Sequence, residues 1–272
     1  WSSYNHTPML ENPTLEGGFS PYYHDWLGHP NYDEYWENIS IDESFPEINI
    51  PVFNIGGWYD KFLSGTILDF TRLQNSDLAN QTQKLLIGPW VHGSSFDKRA
   101  GDTDFGVRAS GTYADIQGQI LQFCDYCLKG DDDNVFNKNP VRIFVMGENV
   151  WRDEKEWPIH GAKTVSYYLH SNGRANTLNG DGYLSEDLPM DEPSDVYVYN
   201  PMDPVPTHGG SVCFDLGLLQ PGAFDQRHIE SRHDVLVYTT PPLNNYVEVT
   251  GPITMGLYAS SSAIDTDFTA KL

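Results

Sequence analysis

Two side chains in this sequence have the types and placement to do chemistry together. Asp60 closes the run Ile48-Asn49-Ile50-Pro51-Val52-Phe53-Asn54-Ile55-Gly56-Gly57-Trp58-Tyr59-Asp60, and His92 closes Lys84-Leu85-Leu86-Ile87-Gly88-Pro89-Trp90-Val91-His92. A carboxylate beside an imidazole fixes one ring nitrogen as N–H and stabilises the imidazolium. The other ring nitrogen can then take a proton from a nucleophile and return it to a leaving group. Taken singly, each residue has an ordinary explanation: an Asp after a strand caps the helix that follows, and a loop His is a polar surface residue. Their placement after consecutive strands argues for a pair.

The elements that must position them are legible in the same runs. Each run is apolar with little polar alternation, as expected of strands buried on both faces of a parallel sheet, and each ends in a glycine-containing turn. Phe62, Leu63, Ile67, Phe70 and Leu73 recur at helical spacing between them, with Arg72 and Gln74 marking a polar side and Asn75 to Thr82 a polar connection. The 31 residues from Lys61 to Val91 fit a βαβ unit, which needs about 30. Catalytic groups in open α/β sheets collect beyond the carboxyl ends of the strands, where this unit puts Asp60 and His92. Acid then base is the chain order of an α/β-hydrolase triad, which requires a serine on a Gly-x-Ser-x-Gly elbow ahead of the acid. That motif occurs nowhere in the 272 residues, and Ser2, Ser3, Ser20, Ser40 and Ser44 all lack the flanking glycines. Either the pair is no part of a triad, or the sequence is a piece of a longer one.

Several blocks in order carry a family resemblance. Gly57-Trp58-Tyr59-Asp60 with Phe62 and Gly65, Ile87 to Gly93, Asp102 to Gly106, Val145 to Glu154, Tyr199 to Pro206 and Asp265 to Leu272 resemble the cocaine esterase and X-Pro dipeptidyl-peptidase superfamily of serine hydrolases. The resemblance implies an α/β-hydrolase fold, represented by the end of a helical cap (1–45) and the C-terminal half of the sheet (46–162). An all-β jelly-roll sandwich cut short (163–272) would follow. It implies Asp60 as the acid and His92 as the base, with Trp58, Tyr59 and Trp90 as candidate substrate-binding residues. The nucleophilic Ser and an oxyanion-hole Tyr would lie upstream. No metal or organic cofactor is implied. The expected substrate is a small acyl ester, an α-amino ester, a β-lactam side-chain amide or the bond after an X-Pro dipeptide. The 272 residues alone are expected to be inactive, with an open sheet edge that invites association into a homo-oligomer. The competing expectation is a non-catalytic β-sandwich binding module or an inactive relic.

Sixteen Lys and Arg against 38 Asp and Glu give a formal charge of −22. That argues against nucleic acid and anionic membrane surfaces as partners, because phosphate contacts need clustered basic residues. No apolar run approaches the roughly 18 residues of a membrane-spanning helix. Three cysteines make no disulfide framework. The glycosylation-type triplets at Asn5, Asn38 and Asn80 are too common to fix a compartment.

The aromatic words of residues 1–45, such as Pro21 to Trp26 and His29 to Trp36, read as cap packing, with a short helix after Pro30 and a structural His29. Gly93 to Gly111 reads as a loop. Its Asp104-Phe105-Gly106 resembles a kinase magnesium motif, but no phosphate loop accompanies it. Tyr113 to Lys129 is predicted as a helix with Ile116, Ile120, Leu121, Cys124, Cys127 and Leu128 on one stripe and Gly130 as its stop. Cys124 and Cys127 within it are packing residues rather than a redox or zinc pair. Asp131 to Asn134 lacks the spacing of a calcium loop and reads as a solvated turn. Val141 to Met146 is predicted as the last strand of the hydrolase sheet. Trp151 to Trp157 reads as a junction, with Arg152 pairing an acid. Beyond Lys163, strands are predicted at Val165–Leu169, Asp195–Tyr199, Val235–Thr239 and Val247–Ala259, with a long loop over Asn172–Asp187.

Overall fold

The computed structural model describes residues 6, 8–13, 20–75, 82–93, 96–130, 138–213, 217, 219–264 and 266–272. The Asp131–Asn134 turn, Asp265, two of the three glycosylation-type asparagines (Asn5 and Asn80) and most of the Asn75–Thr82 connection lie outside the described residues. The chain divides into two compact units, Trp1–Pro51 with Arg72–Gln81, and Val52–Thr71 with Thr82–Leu272.

In the first unit, helix α1 (Pro21–Gly28) begins with Pro21 at its first position, where a missing N–H costs nothing. A one-turn helix α2 (Glu34–Glu37) follows Pro30 as the sequence predicts, capped by Asp33, which accepts the Tyr35 N–H at 3.1 Å. His29 is structural. Its Nδ1 lies 2.7 Å from Asp33 Oδ2, its ring stacks on Tyr35 at 4.5 Å, and its carbonyl accepts the Trp36 indole N–H at 2.8 Å. Arg72 pairs with Asp42 and lies over the Phe45 ring.

The second unit is built on a four-stranded sheet in the order β1 (Val52–Tyr59), β2 (Gln83–Val91), β5 (Val141–Val145), β6 (Val150–Glu154). β1 pairs parallel with β2, and β2 parallel with β5. Helix α3 (Leu63–Gln74) is the crossover, so the predicted βαβ unit is present. The sheet is buried on both faces. Phe70, Leu85, Ile87, Val141, Ile143, Val145 and Trp157 form one cluster. Leu86, Trp90, Ala114 and Ile116 form another, with Phe53 and Ile55 of β1 packed against it. Between β2 and β5 lie a short hairpin, β3 (Arg99–Ala100) with β4 (Thr103–Asp104), and helix α4 (Ile116–Lys129). In that hairpin, Asp104 accepts the Gly106 N–H at 2.9 Å and meets Lys98 at 3.0 Å. These contacts hold its carboxyl below the usual range, so the Asp-Phe-Gly segment is a turn anchor.

Two expectations about these elements need correction. The sheet does not end at β5, because β6 returns antiparallel to it across a tight turn in which Gly147 and Asn149 take positive φ. On α4, Gly130 stops the helix in the left-handed conformation as expected. However, Ile116 and Phe123 are its buried residues, while Ile120, Leu121, Cys124 and Leu128 are exposed. Of the predicted stripe, Ile116 is packed into the core and Cys127 is half-buried, while the other four positions face solvent.

The C-terminal part departs further from expectation. Strands β7 (Tyr168–His170) and β8 (Tyr183–Ser185) form a hairpin, so the predicted loop over Asn172–Asp187 contains a strand. Asn176 bridges Leu236, Tyr183 bridges Thr239, and a one-turn helix α5 spans Arg227–Glu230. Asp195–Tyr199 and Val247–Ala259 carry no ladder, and Ile253, Met255 and Leu257 are exposed. Arg152 does find its acid: Glu248 accepts both of its terminal N–H groups at 2.7 Å. Such a bidentate pair ties the end of the sheet to the C-terminal part.

The β7–β8 hairpin holds a titrating pair. His170 is buried, its Nδ1 is 2.7 Å from Glu192, its Nε2 is within 3.0 Å of the Asp187 carbonyl and 3.1 Å of Ser185 Oγ, and its ring stacks on Tyr183. The Glu192 bond raises the pKa of His170, and the same bond lowers that of Glu192. The His170 contribution is therefore complete below the unfolded value of about 6.5 and disappears as pH rises through the higher folded value. The Glu192 contribution is complete above about 4.3 and is lost as pH falls through its lowered value. The urea midpoint of the wild-type chain is expected to decline as pH rises above about 6.5. The His170→Gln midpoint should be flatter over that range, and equal slopes for the two chains would refute the assignment.

Candidate active site

β1 and β2 finish level, with Tyr59 opposite Val91, and the next residue of each is Asp60 and His92. The Asp60 N–H donates to the Gly57 carbonyl at 3.0 Å, which turns the chain out of the strand. One carboxylate oxygen, Oδ1, accepts the Phe62 N–H at 2.8 Å, and the Asp60 carbonyl accepts the Leu63 N–H at 3.1 Å, starting α3. The other oxygen, Oδ2, lies 3.1 Å from His92 Nδ1. One carboxylate thus caps the helix with one oxygen and faces the imidazole with the other.

The two side chains are 18% and 29% exposed for Asp60 and His92, shielded enough to strengthen the pair yet open enough for a reactant to reach. With Nδ1 facing the carboxylate as N–H, Nε2 is the nitrogen that exchanges protons. The edge of the Phe62 ring meets the His92 ring, centroids 4.9 Å apart. Sequence reasoning put Phe62 on the apolar face of the helix, but it is half-exposed and precedes the first helical residue. Its position two residues after Asp60, still in the turn, was the available signal.

The other candidates divide. Tyr59 packs its ring 6.2 Å from Phe105, and burial pushes its phenol above the ordinary value, so it stays an O–H at neutral pH. The Trp58 indole N–H donates to the Phe144 carbonyl at 2.7 Å. Trp90 corrects the expectation: it is 1% exposed and has no face to offer a substrate. Its indole N–H donates to the Ala109 carbonyl at 2.7 Å, and its ring packs on Phe96 and Trp151. Trp151 in turn donates to the Arg108 carbonyl at 2.7 Å. Trp58 and Trp90, each two residues ahead of a member of the pair, fasten the ends of both strands to the scaffold. Among the described residues, no group of three or more His, Cys, Asp or Glu could hold a metal ion.

A parallel βαβ unit with an acid and a base just past its strand ends is the layout of an α/β hydrolase. Comparison with known proteins agrees. Residues 3–94 match the family described as X-Pro dipeptidyl-peptidase (S15 family), and residues 134–272 match the X-Pro dipeptidyl-peptidase C-terminal non-catalytic domain. The chain is 39% identical over 267 residues to cocaine esterase of Rhodococcus sp. (strain MB1 Bresler), which covers 98% of this chain and 45% of that one. In fold it is similar to the crystal structure of an aminopeptidase from the marine sediment archaeon Thaumarchaeota archaeon. That match has a TM-score of 0.64 at 24% identity, over 85% of this chain and 37% of that one. The chain spans less than half the length of the curated relatives it matches. It belongs to the cocaine esterase and X-Pro dipeptidyl-peptidase superfamily, with a hydrolase fold followed by a C-terminal β domain.

Proposed function

We propose that this chain is the acid- and base-bearing portion of a serine hydrolase that cleaves esters or amides through an acyl-enzyme. The observation that carries the reading is the 3.1 Å approach of Asp60 Oδ2 to His92 Nδ1 beyond parallel strands. Asp60 holds the Nδ1–H tautomer and stabilises the imidazolium. His92 Nε2 takes the serine proton as the hydroxyl oxygen attacks the acyl carbon, then delivers it to the leaving alcohol or amine as that bond breaks. A water then repeats the sequence and releases the acid. The serine and the oxyanion donors belong to residues outside these 272, since no elbow motif occurs in them. The relative cocaine esterase and the X-Pro dipeptidyl-peptidase family matched here agree with ester and amide substrates. Tyr59 and Phe62, beside the pair, are the side chains we propose to meet the substrate.

For the C-terminal part we propose a non-catalytic β domain of jelly-roll type, supported by the β7–β8 hairpin, by the bridges from Asn176 to Leu236 and from Tyr183 to Thr239, and by the name of the family matched there. The rival reading of the whole chain, a binding module with a relic acid and base, is favoured by the missing serine. Labelling the natural gene product in its source extract with a fluorophosphonate probe separates the two. The proposal expects a labelled band well above 30.7 kDa that disappears when His92 is replaced by Ala. Absence of label on any product containing this sequence favours the module.

A further inference from the structure

We infer that a one-residue β-bulge at Pro89–Trp90, accommodated by Gly57 and Gly88, is the device that brings His92 to the Asp60 side of the sheet. The inference rests on the Asp60–His92 pairing proposed above. Along most of its length β1 meets β2 in steady register, from Val52 opposite Gln83 to Gly57 opposite Gly88. The next pair is Tyr59 opposite Val91, so β2 uses one residue more than β1 over this step.

The side chains record the same slip. In a regular strand successive residues point to opposite faces. Leu85 and Ile87 lie in one cluster, Leu86 and Trp90 in the other, as alternation demands. Val91 should then return to the Leu85 face. Instead it packs against the cluster of Ala100, Phe105, Ala109 and Phe144, on which Tyr59 and Trp151 also pack, and Trp151 packs against the Trp90 cluster as well. Trp90 and Val91 therefore share a face, and the alternation restarts between them. Without the extra residue, His92 would lie on the side of Trp90 and Tyr59, opposite to that of Asp60. A slip of one residue moves every later side chain to the other face, and here that movement makes the pair.

Residue types at the step fit this geometry. Pro89 has no N–H to leave unmatched where the ladder breaks. A Cβ on Gly57 would overlap the Trp90 carbonyl, and a Cβ on Gly88 would overlap the Trp90 ring. The first collision is with backbone, so no rotamer change relieves it. Gly57 and Gly88 act as positioning residues through the bulge, without touching a reactant.

The test uses the full-length natural protein with isotope-labelled histidine, where nuclear magnetic resonance reports which ring nitrogen of His92 carries the proton. The His92 signal is assigned by its loss in His92→Ala. The wild-type chain is expected to hold the Nδ1–H form, and Asp60→Asn to shift it towards Nε2–H. Gly57→Ala, with its circular dichroism retained, is expected to lower the Nδ1–H to Nε2–H ratio about tenfold or more, the size of one lost hydrogen bond to a charged group. An unchanged ratio in Gly57→Ala overturns the bulge. If Gly57→Ala does not fold, the exchange Val91→His with His92→Val decides. The bulge predicts that an imidazole at position 91 faces away from Asp60 and shows no Nδ1–H preference. A retained preference would mean regular register and refute the inference. A wild-type chain indifferent to Asp60→Asn would instead remove the pairing itself, and the inference with it.

Discussion

Replacing Asp60 by Asn in the full-length protein is expected, under the proposed function, to lower turnover by about 10⁴-fold, the loss that follows when the acid of a Ser-His-Asp triad becomes an amide. The reason lies in the two separate duties of the carboxylate. Oδ1 caps the first turn of α3 through the Phe62 N–H, and Asn performs that duty as well as Asp. Oδ2 faces His92 Nδ1, where an amide NH₂ would offer a donor to a nitrogen that must itself donate. The imidazole then adopts the wrong tautomer, and Nε2 carries a proton when it should be accepting one. The fold should be kept while chemistry fails, and the loss should fall on kcat rather than KM. Steady-state kinetics on an activated ester measure it, and a loss below tenfold would remove Asp60 from the triad.

The largest expected effect on stability is at Phe144. Its side chain is fully buried in β5 and packs edge-on against Phe105 at 6.3 Å and Trp151 at 5.3 Å. Phe144→Ala removes a ring from a fully buried site in the cluster of Ala100, Phe105 and Ala109, and leaves a void there. The cost is about 3–5 kcal/mol. With a urea dependence of about 1–3 kcal/mol per molar, the midpoint should fall by roughly 1 M or more. The Trp58 indole bond goes to the backbone carbonyl of residue 144 and survives the change, so the loss reports packing alone. A cost under about 1 kcal/mol would contradict the packing described, since surface-like values belong to sites that can collapse.

The βαβ unit and the Asp60–His92 pair were legible because local signals and long-range placement coincide there. Gly57, Gly88 and the apolar runs specify buried parallel strands, and the helix between them sets where their ends meet. β6 was not legible in the same way. Val150-Trp151-Arg152-Asp153-Glu154 has three charged residues in five and reads as a junction. The turn before it, with Gly147 and Asn149 at positive φ, carried the hairpin signal. Val247–Ala259 errs in the opposite direction: its alternation is that of a strand, but a strand exists only against a partner ladder, and the described residues supply none. The α4 stripe makes the same point for a helix, since Leu121 and Leu128 satisfy the pattern and remain in solvent. Trp90 reads as a substrate contact in sequence because aromatic neighbours of candidate catalytic residues look alike whether they face a substrate or anchor a strand, and the anchoring by Trp58 and Trp90 is equally hidden. Their indole hydrogen bonds, to residues far along the chain, have no sequence signature.

The divided carboxylate of Asp60 also bears on how descent should be read in this superfamily. A lineage that abandons catalysis still needs something at position 60 to start the helix, and Asp or Asn serves equally. Drift there should therefore run among the short capping residues, Asp, Asn, Ser and Thr. His92 starts no helix, so selection should release it once chemistry is lost. An Asp at position 60 in a sister sequence is weak testimony that the sister is an enzyme. An Asn at 60 beside an altered residue at 92 is the mark of one that has stopped.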